Sequence, residues 1–76
     1  MTIEKILDGN MAKIVIAGRL DTQTAPELEK VLDETFAGLK ELTFDMAGLE
    51  YISSAGLRVI LKAQKTMNDQ GSMKLP

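Results

Sequence analysis

The sequence predicts an α/β fold of one small domain: a four-stranded mixed sheet in the order β-β-α-β-α-β, with helices packed on it. Three observations lead there. Two β-rich runs flank the turn signal Asp8-Gly9-Asn10, two later segments repeat apolar residues at helical spacing, and Leu42 to Met46 between them alternates apolar with polar residues.

The first strand is expected over Ile3 to Leu7 and the second over Ala12 to Ala17, joined as a hairpin because Gly9 and Asn10 tolerate positive φ. Ile14-Val15-Ile16-Ala17 is continuous rather than alternating. That suits a strand covered on both faces and places it centrally. Gly18 is expected to break it. A helix follows Asp21, with Thr24 and Glu27 at capping-box spacing and Pro26 in the first turn. Leu28, Val31, Leu32, Thr35 and Phe36 form its apolar stripe against Glu27, Lys30, Asp33 and Glu34, and Gly38 ends it.

Leu42, Phe44 and Met46 alternate with Thr43 and Asp45 in a strand with one buried face, after which Ala47 to Ile52 reads as a loop. Ser53 and Ser54 precede the second helix. Its expected stripe is Leu57, Ile60, Leu61, Gln64 and Met67, against Arg58, Lys62, Lys65 and Asp69, and Gly71 closes it. Met73 and Leu75 hint at a fourth strand. Right-handed crossovers make the later strands parallel and set both helices on one face of the sheet.

Composition narrows the chemistry. The 76 residues carry 9 Lys and Arg against 11 Asp and Glu, with no Cys, His or Trp. A single core of this size rarely supplies more than about 3–5 kcal/mol of net stability, and no disulfide supplements it. Thiolate nucleophiles, Ser-His-Asp triads, imidazole acid–base catalysis and Cys/His zinc sites all need absent residue types. The carboxylates do not fall at EF-hand spacing, so neither metal nor cofactor is expected. No acid–base pair or activated nucleophile suggests an enzyme. A net charge of −2, with neither a dense Lys/Arg stripe nor interleaved aromatics, argues against nucleic acid as a partner. The apolar runs are too short for membrane insertion and no signal peptide opens the chain, so a cytoplasmic protein is expected.

Open sheets of this kind form their sites where the carboxyl ends of strands meet helix amino termini. Two loops qualify, Gly18-Arg19-Leu20-Asp21 and Ser53-Ser54-Ala55-Gly56-Leu57. A serine pair before a helix is, in its simplest reading, an N-cap. Two serines exceed one cap, however, and Gly56 in the first turn costs roughly 1 kcal/mol relative to Ala. Close approach by another chain or by a phosphate would explain the missing side chain. A phosphoryl group on Ser54 would meet the helix dipole and free N–H groups, although no Gly-x-x-x-x-Gly-Lys or Gly-x-Gly-x-x-Gly motif is present. Asp21 reads either as a turn residue bonding its own backbone or as a shaper of the site. Arg58, Lys62 and Lys65 read either as a solvated face or as contacts to an acidic partner.

The element order and the serine loop together resemble STAS domains, the anti-sigma factor antagonists of bacterial partner switching. The likeness covers nearly the whole chain: the hairpin, Gly18-Arg19-Leu20-Asp21, Leu42-Thr43-Phe44-Asp45-Met46, and Leu49 to Leu57. Family members usually carry a stretch like Asp-Ser-Ser/Thr-Gly-Leu whose first Ser is phosphorylated. Setting Gly56-Leu57 on its Gly-Leu puts Ser54 at that position, with Ala55 replacing the second hydroxyl residue and Ser53 replacing the Asp. Asp21 falls on the Asp of the family's Gly-Glu-Leu-Asp.

The resemblance implies a non-enzymatic regulator that binds an anti-sigma factor with serine kinase activity, the partner holding ATP. Binding would use Asp21, Ser53, Ser54, Ala55, Gly56, Leu57 and Arg58, with Gly56 admitting the kinase loop. Phosphorylation of Ser54 would switch binding off. The alternative it implies is a non-phosphorylated STAS scaffold or subunit of a transporter or signalling assembly. Family domains usually continue past the fourth strand into further helix. Residues 1–76 are therefore expected to form a C-terminally truncated copy with an uncovered strand edge or helix flank, and to self-associate there as a homo-oligomer.

Overall fold

The hairpin forms where the Asp8-Gly9-Asn10 signal places it. In the computed structural model, which describes residues 1–75, β1 (Thr2–Asp8) pairs antiparallel with β2 (Met11–Leu20) from Thr2↔Ala17 to Asp8↔Met11. The turn is therefore Gly9-Asn10 alone. Gly9 has φ +60°, and among the described residues only glycines have positive φ. Asn10 thus corrects the expectation: only the first turn position needs the left-handed region, the pattern of a type II′ turn.

Gly18 does not end β2. With φ +92° it sits beside an irregularity in the strand pairing, and β2 continues to Leu20. The stretch expected as a loop, Ala47 to Ile52, is likewise strand, because β3 runs Glu41–Ile52 in parallel register with β2. From Val15↔Asp45 the register moves to Ala17↔Gly48, and from Gly18↔Leu49 to Arg19↔Tyr51. Each step inserts one extra residue in β3, as β-bulges do. A continued β2 offers Gly48 to Ile52 a ladder that no local sequence signal announces. Gly48 fits because a Cβ there would lie 2.9 Å from the Ala17 Cβ.

Helix α1 (Ala25–Thr35) stops before Gly38, and α2 (Ser54–Gln70) stops at Gly71, where a Cβ would collide with the Lys40 carbonyl. The Gln70 side chain donates to the Phe36 and Leu39 carbonyls, both at 2.6 Å, closing the turn after α1 against the end of α2. β4 (Ser72–Lys74) pairs in parallel with Glu41 to Thr43, completing the order β1-β2-β3-β4.

One core joins the layers. Ala12, Ile14 and Ile16 of β2 and Leu42 and Phe44 of β3 alternate onto the face that receives Leu28 and Leu32 of α1 and Val59, Ile60, Ala63 and Met67 of α2. Both helices therefore cover one face, as the crossover rule requires. This corrects the reading of β2 as covered on both sides. It is central, but Val15 and Ala17 point to the open face and are half-buried.

The apolar stripe of α2 is also rotated from its expected position. Gly56, Val59, Ile60, Ala63 and Met67 are buried, whereas Leu57 and Leu61 are exposed. Small residues let α2 approach the sheet closely, and that approach selects the buried side. Ile52 and Leu75 are exposed as well. Among the described residues, no helix is long and apolar enough to cross a membrane.

Candidate functional site

The carboxyl ends of β2 and β3 bring the two expected loops together. The Ser53 N–H donates to the Leu20 carbonyl at 2.8 Å, tying the second loop to the end of β2. Arg19 and Tyr51 face each other across the ladder, and the guanidinium carbon lies 4.2 Å from the ring centroid. An exposed contact of this kind contributes about 0.5–1 kcal/mol.

Before α1, the polar atoms are consumed locally. The Asp21 carboxylate accepts the N–H groups of Gln23 and Thr24, each at 3.0 Å. The Thr24 hydroxyl accepts the Asp21 N–H at 2.8 Å and donates to the Arg19 carbonyl at 2.9 Å. The Ala25 N–H reaches the Asp21 carbonyl at 2.8 Å, so the helical bonding begins at Asp21. The expected Thr24–Glu27 capping box does not form. Thr24 has helical angles, φ −95° and ψ −21°, which turn its hydroxyl back towards Asp21 instead of towards its own helix. The Asp21 carboxyl is held below its ordinary value, first by the Thr24 N–H. Desolvation opposes this, while the Gln23 N–H, the Thr24 hydroxyl and the Arg19 guanidinium reinforce it.

Before α2 the two serines divide the work. Ser53 is the N-cap in extended conformation, and its hydroxyl accepts the Gly56 N–H at 3.2 Å. Ser54 is the first helical residue and is exposed. Ser is among the preferred N-cap residues, which suits Ser53 to this position. Gly56 corrects the sequence reading, because it is buried and its close neighbour is the chain's own Leu20. A Cβ there would lie 2.5 Å from Leu20 Cγ and 3.0 Å from the Leu20 carbonyl oxygen. Its missing side chain is explained by the packing of α2 on β2 and does not call for a visiting loop. Ala55 is half-buried, and Leu57 and Arg58 are exposed.

A groove of about 300 Å³ runs between the helices beside this site, lined by Thr22, Ala25, Pro26, Ala55, Arg58 and Lys62 among others. Lys62 spans towards Glu29 at 3.7 Å. A larger concavity, about 490 Å³, lies on the open sheet face among Ile6, Met11, Lys13, Thr43 and Asp45. None of Ser53 to Arg58 lines it, so it is separate from the serine site. Among the described residues, no three His, Cys, Asp or Glu side chains gather as a metal site. Sequence reasoning located the two loops and both serines, but it missed the bonds of Thr24 to Asp21 and Arg19 and the contact of Arg19 with Tyr51. Thr24 was itself part of the expected capping box, whereas the Arg19–Tyr51 contact depends on the strand extension and had no local sign.

Comparison with known proteins agrees with this architecture. The STAS domain profile matches residues 2–75. An anti-sigma-B factor antagonist of Staphylococcus epidermidis is 30% identical over 69 residues, covering 90% of this chain and 64% of that protein. The chain thus spans under two thirds of the length of the curated relative. The anti-sigma factor antagonist SpoIIAA in its unphosphorylated form superposes with a TM-score of 0.85 at 13% identity, over 97% of this chain and 71% of that one. The Bacillus cell fate determinant SpoIIAA in its phosphorylated form gives 0.82 at 10% identity, over 99% and 70%. At these identities the structural likeness establishes the fold.

Proposed function

This chain belongs to the STAS domain family, and from that premise we propose that it is an anti-sigma factor antagonist, switched by phosphorylation of Ser54. The observation that carries the proposal is the division between the serines. Ser53 is engaged in the cap, while Ser54 is exposed at the first position of α2. The relative that is an anti-sigma-B factor antagonist supports the general role.

In the unmodified state, the surface around Ser54 and the start of α2 binds an anti-sigma factor that is also a serine kinase, which releases the sigma factor. The partner binds ATP, since this chain carries no phosphate-cradling loop. The γ-phosphoryl group passes to the Ser54 hydroxyl oxygen, ADP leaves, and the hydroxyl proton goes to a base on the partner. The product carries about −1.5 to −2 charges in the middle of the docking face, which opposes association through repulsion and desolvation. The helix amino terminus accommodates the phosphate electrostatically, so the domain stays folded when modified. Asp21 supports the site indirectly by fixing the turn before α1.

A pulldown of the anti-sigma factor with Ser54→Asp tests the switch. Weaker capture than with wild type is expected. Equal capture would instead favour the alternative, a STAS scaffold or assembly subunit with no phosphorylation cycle.

A further inference from the structure

Helix α2 is the basic member of the helical layer, α1 the acidic one. Of the chain's 9 Lys and Arg, Arg58, Lys62 and Lys65 lie on α2, and of its 11 Asp and Glu only Asp69 does. The remainder is acidic. Ser54, Arg58, Leu61 and Lys65 follow the spacing i, i+4, i+7, i+11, which aligns them along one line of the helix. That line is opposite the buried Gly56, Val59, Ile60, Ala63 and Met67. Leu61 stands on it, 59% exposed, and Leu57, 48% exposed, lies one turn earlier on its flank. Two bare leucines beside Arg58 and Lys65 form an apolar contact bordered on one side by cations, an arrangement suited to a docking surface. The exposed residues of α1 include Glu27, Lys30, Asp33 and Glu34 but no large aliphatic side chain. The bare leucines of the helical layer therefore fall on its basic element.

We propose that the exposed crest of α2 docks a protein surface in which carboxylates surround an apolar contact, with Leu57 and Leu61 as anchors and Arg58 and Lys65 as charge partners. This rests on the reading that a protein partner binds beside Ser54, and it specifies that partner's chemistry. A phosphate on Ser54 would then stand at the head of the same line and place negative charge against an acidic partner. Electrostatic complementarity of this kind sets orientation and speeds encounter, and it weakens with salt. A lipid surface is disfavoured, because two leucines offer little to insert and the chain is acidic as a whole.

The test uses two synthetic amphipathic helical peptides of equal length, with the same leucine stripe flanked by glutamates in one and lysines in the other, titrated into the isotope-labelled chain. The glutamate peptide should bind at least about tenfold more tightly and lose affinity with salt, with amide shifts centred on Leu57 to Lys65. Arg58→Glu with Lys65→Glu should reverse the preference, and Leu57→Ser with Leu61→Ser should weaken both peptides while the circular dichroism spectrum stays unchanged. Equal affinity for the two peptides, or shifts centred elsewhere, would overturn the proposal. So would tighter binding to phosphatidylglycerol vesicles than to the glutamate peptide, or dimerisation in sedimentation that the double glutamate variant abolishes. If the peptide results hold but Ser54→Asp leaves anti-sigma factor capture unchanged, the docking face stands and the phosphorylation switch falls.

Discussion

The two strand-to-helix junctions lie side by side and carry similar polar residues, yet they are built differently. Before α1, Asp21, Thr24 and the Arg19 carbonyl satisfy one another, so the junction is closed on itself. Before α2, one serine does the capping and the next stands exposed on the first turn. A junction that has used its hydrogen-bonding groups is scaffold, whereas one that leaves a hydroxyl presented on a fixed helix start can take part in recognition. The rigid first junction also fixes the Leu20 backbone, against which both Ser53 and Gly56 are set.

The largest effect should come from Gly56→Ala, which disturbs the contact between the junctions. Its Cβ would enter the space of Leu20, and such overpacking costs about 1–3 kcal/mol. The gain in helix propensity, roughly 1 kcal/mol, is not expected to reverse the sign. Urea denaturation measures the balance, and a more stable variant would show that the two segments are not tightly apposed.

Next in size is Ser53→Ala, which removes the α2 cap and should cost about 1 kcal/mol. Ser54→Ala should change stability by less than about 0.5 kcal/mol, since an exposed first-turn side chain with no capping bond is lost. Similar losses for the two variants, in the same denaturation experiment, would erase the distinction between cap and presented hydroxyl.

The subtlest difference is in acid. The Asp21 carboxyl sits below its ordinary value of 3.8 in the folded chain. Its contribution is therefore fully present above that value and is lost as pH falls through the lower, folded value. Asp21→Asn keeps an acceptor oxygen but does not titrate. Its melting temperature should fall less steeply than that of wild type below about pH 4, and parallel profiles would remove Asp21 as an anchor of the first junction.

Much of this contrast was legible in the sequence, to different depths. The hairpin, the stripe of α1 and the positions of the serines all follow from local patterns that tertiary structure left intact. The strand over Ala47 to Ile52 was not legible, because Ala47, Gly48 and Glu50 resemble loop residues and their ladder partners lie about thirty positions earlier. The orientation of α2 was misread because its most conspicuous aliphatic residues, Leu57 and Leu61, face outward while Gly56 and Ala63 pack inward. A count of hydrophobic side chains cannot see a close approach made by small ones. Which serine caps was equally hidden, since it depends on the extended backbone at Ser53. The serine aligned with the family's phosphorylated residue is also the one the fold leaves exposed, so the two lines of argument meet at Ser54.

Phosphopeptide mapping by mass spectrometry, after incubation with the cognate anti-sigma factor kinase and ATP, tests that meeting point most directly. A single phosphate on Ser54, retained in Ser53→Ala and lost in Ser54→Ala, is the expected result. An unmodified wild-type chain, or a phosphate on Ser53, would contradict the assignment of Ser54 as the switch.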